Sequence, residues 1–218
     1  MVDFAKARVT MVDNQVRPSD VTDFAVIGAL LEVPRERFVP ARAQPLAYID
    51  EDIALDDKGR ALMKPAVFAK LVQLAAIEPH HVVLLVGATT GYGAAIIARL
   101  SSSVVALEDD AGLAARASAN LEALGVDNVA IVSGPLAAGY PKEAPYDVIL
   151  VDGAIETVPS ALTDQLRDQG RLVAIVGTGR AAEAMVYQKS GKEVAGRSAF
   201  NAAARPLPGF AAPKAFVF

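Results

Sequence analysis

The sequence predicts an α/β fold with a doubly wound, mostly parallel sheet, an N-terminal helical cap and an antiparallel C-terminal edge. From residue 82 onward, short apolar runs take turns with helical segments. These runs are apolar throughout and do not alternate with polar residues, which is typical of parallel strands covered on both faces. After Gly179 the runs alternate more and their connections are short, which indicates antiparallel pairing.

Residues 1–78 are predicted to form the helical cap, and residues 79–218 the α/β region, together as one compact unit. A helix after the second strand carries apolar residues on one face and ends at Gly125, as a C-terminal glycine permits. The predicted parallel strands are 82–86, 103–107, 129–132, 147–151 and 171–176. Those of the edge are 184–189, 193–200 and 214–218.

Two helices are predicted at the start of the cap. The first covers residues 3–16. The second begins at Val21, is capped by Asp20 or Ser19, and ends at Pro34.

A loop and a third helix complete the cap. Residues 41–59 contain proline, glycine and several acids without a sustained period, so we expect them to lie on the surface. Pro65 suits the first position of a helix, on which Val67, Leu71 and Leu74 share one face.

Composition narrows the function classes. The chain has no cysteine, which excludes disulfides, thiolate metal sites and a cysteine nucleophile. The 21 Lys and Arg residues against 25 Asp and Glu, net −4, include no basic block for a row of phosphates, so we expect no nucleic-acid partner. No apolar run approaches the ~18 residues of a membrane span, and no signal-peptide pattern begins the chain, which predicts a soluble cytoplasmic protein without a membrane partner.

The first turn of the α/β region, Gly87 to Gly91, is a candidate ligand site. Open α/β sheets bind ligands beyond the carboxyl ends of their strands. Glu108 ends the second strand about 20 residues later, where a carboxylate can accept both hydroxyls of a ribose. Glu108 could equally begin a polar loop that helps to cap the next helix, so position alone leaves both interpretations open.

The turn, GATTG, departs from a nucleoside-binding turn. Thr89 occupies the middle position, where glycine lets a ligand approach and where φ > 0 suits β-branched residues poorly. Leu85, two residues before the turn, cannot accept a hydrogen bond. The helix that begins at Gly91, Tyr92 and Gly93 could receive a ligand at its N-terminus, but tight packing of strand against helix explains these residues equally well.

Two groups outside the turn also bear on function. His80 and His81 are adjacent, so in a strand they would point to opposite faces, and with no carboxylate at a ligand spacing we expect no metal site. Arg35 and Arg37 could bind a peptide carboxylate or remain solvated turn charges.

From about Met11 to Gly177 the chain resembles the protein-L-isoaspartate O-methyltransferases. The most specific likeness is VPRERFVP at 33–40 followed by AYID at 47–50, which is similar to the family's N-terminal signature. The glycine turn, LEDD at 107–110, APYDVILVDGA at 144–154 and the LxxQGRLVAIVG pattern at 166–177 follow the family's order.

The resemblance implies the S-adenosylmethionine-dependent methyltransferase type of sheet, and methylation of the free carboxylate of isoaspartyl residues in proteins or peptides. A carboxylate is already a nucleophile at neutral pH, so positioning does most of the catalysis without a metal or a strong base. By the same resemblance, Met63, Lys64 and Asp152 lie on the acceptor side, and the cofactor-binding residues are Gly87, Thr89, Gly91, Tyr92, Glu108 and Asp109.

Departures from the family pattern cluster in the site. Met63 stands for the serine of an Ile-Ser-x-Pro motif, Leu85 for an acid and Thr89 for a glycine. Pro135 stands for the aspartate of a Gly-Asp-Gly that contacts the adenine. Asp152 stands for a threonine and would repel an incoming carboxylate.

Three of these departures remove a polar interaction with the cofactor. At about 1 to 1.5 kcal/mol each, they would weaken cofactor binding by roughly 10²- to 10³-fold. We therefore interpret the chain as a divergent member with weak or altered activity. Two alternatives stay open: a non-catalytic homologue that binds a protein partner, and a methyltransferase for another acceptor. The sequence does not predict the oligomeric state.

Overall fold

A seven-stranded sheet carries the fold in the computed structural model, which describes residues 2–212. Its strands are β3 (Val82–Val86), β4 (Ser103–Glu108), β5 (Val129–Ser133), β6 (Tyr146–Ile155), β7 (Leu166–Val176), β8 (Glu183–Ser190) and β9 (Glu193–Asn201). A separate hairpin pairs β1 (Ile53–Ala54) with β2 (Ala61–Leu62). The helices are α1 (Phe4–Met11), α2 (Phe24–Glu32), α3 (Pro65–Ala75), α4 (Tyr92–Ile97), α5 (Ala111–Ala123) and α6 (Ser160–Thr163).

The strand order is β5-β4-β3-β6-β7-β8-β9. The first five strands in this order run parallel, and β8 and β9 continue the sheet antiparallel. The predicted mostly parallel sheet with an antiparallel edge is therefore confirmed. The predicted strand at 214–218 lies outside the described residues. Since β4 and β6 flank β3 on opposite sides, strand order reverses at β3, and the crevice beyond β3 is where such a sheet binds ligands.

Most predicted helix signals are confirmed. Pro65 is the first residue of α3, and Gly125, at φ +64°, follows the end of α5. The predicted cap of the second helix is wrong: Asp23, not Asp20 or Ser19, accepts two N–H groups of the first turn of α2, at 2.8 and 3.2 Å. Asp20 instead ends the preceding helical turn in the left-handed region, which delays the start of α2.

Residues 41–59 are more ordered and more buried than a surface loop. They contain a 3₁₀ turn over Ala41–Leu46, the strand β1, and the buried side chains of Ala47, Ile53 and Leu55. Three acids of the segment, Asp50, Glu51 and Asp57, are exposed, while its buried apolar residues have no regular spacing. The absence of a regular period in the sequence therefore concealed the contribution of this segment to the core.

The hydrophobic core joins the cap to the sheet. Val83 and Leu85 face a cluster that includes Phe38 and Phe68 from the cap. The alternate residues of β3 face a second cluster, which includes Phe210 from the C-terminal segment. The first cluster contains residues from both sides of position 78. The division of the chain into a cap and an α/β region at that position stays a prediction. Within residues 2–212, no helix is both long and apolar enough to cross a membrane.

Candidate functional site

The sheet brings three of the sequence-predicted residues to one crevice. Gly87 directly follows β3, Glu108 is the last residue of β4, and Asp152 lies in the second half of β6. Because β3, β4 and β6 are adjacent and parallel, their carboxyl ends meet where the strand order reverses.

The Glu108 carboxylate is completely buried and accepts five N–H hydrogen bonds. Its Oε2 accepts from Arg60 Nη2 and the Thr89 amide, both at 2.7 Å. Its Oε1 accepts from Arg60 Nη1 at 2.7 Å and from the amides of Asp109 and Asp110, both at 3.1 Å. Two carboxylate oxygens offer about four lone-pair directions. This arrangement therefore leaves no acceptor capacity for ribose hydroxyls.

Arg60 reaches this position from the hairpin of β1 and β2. Its amide donates to Asp56 Oδ1 at 2.9 Å and its carbonyl accepts from Leu55 N at 2.9 Å, which fixes the backbone. Its Nη1 also donates to Asp109 Oδ1 at 2.7 Å. Burial raises the pKa of the Glu108 carboxyl, and the Arg60 guanidinium opposes that rise.

The sequence interpretation missed Arg60. The residue follows Lys58 and Gly59 in an acidic stretch and resembles an ordinary solvated turn charge. Its partner Glu108 is 48 positions away, so only the tertiary fold shows the pairing.

The C-terminal segment also enters the crevice. It runs beside β6, where Ala154 N donates to Arg205 O at 2.9 Å and Leu207 N donates to Ala154 O at 2.8 Å. The Leu207 side chain lies against two glycines. A Cβ added to Gly153 would stand 2.6 Å from Leu207 Cγ, and one added to Gly87 would stand 3.1 Å from Leu207 Cδ1. Leu207 thus occupies the space that these glycines leave open.

Arg60, Pro206 and Leu207 lie in the walls of two spaces. An inner cavity of about 10 Å³ has these residues in its wall together with Met63 and Asp152. An outer cleft of about 450 Å³ has the same three residues in its wall together with Asp109. The inner cavity has room for about one water molecule, whereas ligand sites usually need ~300 Å³ or more. The inner cavity therefore has no room for the nucleoside of the cofactor that the resemblance implies, whereas the outer cleft is large enough for a ligand.

The glycine turn is tightly packed. Thr89 adopts φ +51°, and its buried Oγ1 has no hydrogen-bond partner among residues 2–212. Gly91 has φ +94°, and a Cβ there would stand 3.2 Å from Ala117 of α5. The Tyr92 ring packs against Phe38 in the core, with centroids 5.5 Å apart. These contacts agree with the interpretation of the turn as a packed corner between strand and helix.

On the predicted acceptor side, Met63 and Asp152 lie together in the wall of the inner cavity. Burial raises the pKa of Asp152 to about 7, although the Arg60 and Arg35 guanidinium groups oppose the rise. Its Oδ1 has no hydrogen-bond partner within the described chain. Lys64 is the residue before α3, and its amide donates at 2.9 Å to Oδ1 of Asp52, which also lies in the cavity wall.

Arg35 is fully buried, so its interpretation as a solvated turn charge is wrong. Its Nε donates to Ala47 O and its Nη2 to Met63 O, both at 2.7 Å. Its guanidinium carbon lies 4.9 Å from the centroid of the Tyr92 ring. Arg35 therefore fixes the backbone of the cap beside the crevice, including the carbonyl of Met63.

Two other departures from the family pattern, Leu85 and Pro135, present no polar side chain to a cofactor. Leu85 is completely buried within β3, and its Cδ2 lies 3.3 Å from the position of a Cβ on Gly93. Pro135 precedes Leu136, which is buried in the second cluster. Leu85 thus belongs to apolar packing, and the exposed Pro135 has no polar side chain with which to contact a cofactor.

The expectation that His80 and His81 point to opposite faces is wrong. Both precede β3 in a turn, and ligand atoms of Glu78, His80 and His81 lie within 4.8 Å of one another. His81 Nδ1 accepts a hydrogen bond from Glu78 N at 3.0 Å, so that nitrogen stabilises the turn.

Comparisons with known proteins agree with this architecture. A family model described as protein-L-isoaspartate(D-aspartate) O-methyltransferase matches residues 7–205. A protein-L-isoaspartate O-methyltransferase from Koribacter versatilis is 39% identical over 80% of this chain and 78% of its own length. One from Methylorubrum extorquens is 41% identical over 80% of this chain and 76% of its own length.

Two solved structures share the fold. One, a protein-L-isoaspartate O-methyltransferase, has a TM-score of 0.81 and 26% identity over 94% of this chain, which spans 65% of that protein's length. The other, a beta-aspartate methyltransferase from Plasmodium falciparum in complex with S-adenosyl-L-homocysteine, has a TM-score of 0.77 and 19% identity over 90% of this chain and 96% of its own. By the extent of the family match and the identity to these relatives, the chain belongs to the protein-L-isoaspartate O-methyltransferase family.

Proposed function

We propose that this protein is a protein-L-isoaspartate O-methyltransferase of low activity, which uses S-adenosylmethionine only when its crevice opens. The observation that carries the proposal is the buried Glu108 carboxylate, which lies at the end of β4 beside the glycine turn but is saturated by donors of its own chain. The names of the relatives support the reaction, and the S-adenosyl-L-homocysteine in the structure from Plasmodium falciparum supports the cofactor.

The predicted acceptor residues support recognition of a carboxylate that is weak but not absent. Met63 offers a thioether, which donates no hydrogen bond. Asp152 would repel a carboxylate when ionised, but its pKa of about 7 keeps a sizeable neutral fraction near neutral pH. A neutral carboxyl group can donate a hydrogen bond to the acceptor. We therefore expect methylation to be faster on the acidic side of neutrality.

The test is methylation of an isoaspartyl peptide by the purified protein, with the matching aspartyl peptide as the control. Methyl ester should form on the isoaspartyl peptide alone, slowly, and only with S-adenosylmethionine present. Titration calorimetry with S-adenosylhomocysteine should give a dissociation constant near the millimolar range. Rapid methylation with micromolar binding would contradict the low activity, and methylation of both peptides alike would contradict the acceptor.

A second function is favoured by one observation. The inner cavity of about 10 Å³ shows that the end of the sheet is tightly packed there. A non-catalytic homologue that binds a protein partner would retain such packing for its fold alone. No ester and no bound S-adenosylhomocysteine at high concentration would favour that function. Ester on a different acceptor would favour a methyltransferase of other specificity. The cytoplasmic location stays a prediction.

A further inference from the structure

We propose that Arg60 and Leu207 form a plug, built from the chain itself, that sets the affinity of the crevice for the cofactor. The Arg60–Leu207 plug consists of the Arg60 guanidinium on Glu108 and the Leu207 side chain on Gly87 and Gly153. The inference rests on the proposed function, because it explains how a nucleoside-type ligand and these two side chains would exclude each other.

The position of the plug follows from the two spaces whose walls it shares. Arg60 and Leu207 lie in the wall of both the inner cavity of about 10 Å³ and the outer cleft of about 450 Å³. Withdrawal of these side chains would join the spaces and connect the outer cleft to the glycine turn. The outer cleft alone is in the size range of ligand sites, which begins at ~300 Å³, so withdrawal would add access to Glu108 and Gly87 rather than volume.

The polar half of the plug opposes ligand binding electrostatically. Arg60 is 6% exposed and Glu108 is fully buried, so their two 2.7 Å hydrogen bonds are shielded from water. Breaking a buried ion pair makes an equilibrium constant less favourable by on the order of 10²- to 10³-fold. A ribose that replaces Arg60 on Glu108 must overcome this factor.

The apolar half comes from a different part of the chain. The family match ends at residue 205, and Leu207 lies just beyond it. The segment is held at Ala154 by backbone hydrogen bonds of 2.8 and 2.9 Å, and further on by Phe210, which is 2% exposed. Leu207 therefore lies in the crevice because both flanking anchors hold the segment there.

A plug of this kind makes cofactor binding a choice between two arrangements. The apparent affinity equals the intrinsic affinity of the open arrangement multiplied by the fraction of molecules that are open. Changes that open the plug raise this fraction without adding any contact to the ligand. Because they also remove native packing, they should lower the stability of the ligand-free protein at the same time.

The experiment is titration calorimetry with S-adenosylhomocysteine on the full chain and on Arg60→Gln, Leu207→Ala and the double variant. Each single variant should bind at least tenfold more tightly than the parent, and the double variant more tightly than either. Arg17→Gln and Val194→Ala, at a partly exposed ion pair and an exposed edge strand, serve as controls and should bind like the parent. Thermal unfolding without ligand should show lower midpoints for the plug variants.

The outcomes distinguish a failure of the plug from a failure of the proposed function. If the parent binds and the folded plug variants bind with the same affinity, the plug is wrong and the proposed function stands. If the folded double variant binds no S-adenosylhomocysteine at all, the proposed function fails and the plug fails with it. Leu207→Ala leaves the Arg60–Glu108 pair intact, so the test remains decisive if Arg60→Gln does not fold.

Discussion

The Arg60 guanidinium binds the Glu108 carboxylate at two points, with Nη1–Oε1 and Nη2–Oε2 distances of 2.7 Å. This two-point geometry is among the strongest that a side-chain pair can form. It places a positive charge from the β1–β2 hairpin on the acid that the family resemblance assigns to ribose. The same acid can therefore stabilise the fold or bind a ligand, but it cannot do both fully at once.

Glu108→Gln should destabilise the protein strongly. The variant leaves the Arg60 charge buried without its carboxylate, which costs about 3–5 kcal/mol for pairs of this kind. Asp109→Asn removes a second Arg60 contact, but at a side chain that is 31% exposed, so its effect should be below about 1 kcal/mol. Urea unfolding of the two variants measures the difference. Equal losses would show that the buried pair adds nothing to stability beyond a surface contact.

The free energy of unfolding should fall as pH rises from about 4 to about 7, because Asp152 keeps its proton in the fold but releases it in the unfolded chain. Its pKa in the fold is about 7 against an ordinary value of 3.8, so across this window the native state holds a proton that the unfolded chain has released. Stability falls with pH wherever the native state binds more protons. Below pH 4 both states are protonated, and above pH 7 the full loss, on the order of 2–4 kcal/mol, is present.

Asp152→Asn should remove that pH dependence, because an amide does not titrate. Denaturant unfolding between pH 4 and 8 should show the variant overtaking the parent as pH rises. Asp127→Asn, at an exposed acid, is the matched control and should follow the parent throughout. A constant offset between parent and Asp152→Asn over the whole range would mean that Asp152 is ionised in the fold.

Thr89→Gly should stabilise the protein by about 1 kcal/mol. The parent holds a β-branched residue at φ +51°, which costs about 1–2 kcal/mol, and buries a hydroxyl oxygen without a partner among residues 2–212. Greater freedom of glycine in the unfolded chain offsets about 0.5–1 kcal/mol.

Gln169→Gly is the comparison for Thr89, since Gln169 has φ +62° but is unbranched and exposed. The midpoint of thermal unfolding should rise clearly less for Gln169→Gly than for Thr89→Gly. If Thr89→Gly lowers the midpoint instead, packing by the threonine side chain outweighs the strain of its backbone.

The sequence predicted the sheet well because each parallel strand contains a short apolar run, although β6 and β7 extend beyond their runs through polar residues such as Asp152 and Arg167. It also placed Gly87 and Glu108 in one crevice, since parallel strand ends share an edge, and the family resemblance added Asp152. It could not place Arg60 or Leu207. Their neighbours in sequence are a charged turn and a proline-rich segment, and their partners Glu108 and Gly153 are 48 and 54 positions away. It misjudged Arg35 for a similar reason, because the partners that allow its burial are carbonyls of distant residues.

Gly153→Ala should expel Leu207 from the crevice. The added Cβ would stand 2.6 Å from Leu207 Cγ, a distance that requires the leucine to move. Overpacking of this kind costs about 1–3 kcal/mol, and the displaced segment should expose the peptide bond after Phe210 to chymotrypsin. The double variant with Leu207→Ala removes the clash, so its stability loss should be smaller than the sum of the single losses.

Gly28→Ala, in helix α2 with no atom within 4 Å of the new Cβ, is the control and should stabilise slightly. Additive losses for Gly153→Ala and Leu207→Ala, without faster cleavage, would mean that the glycine and the leucine do not oppose each other in solution.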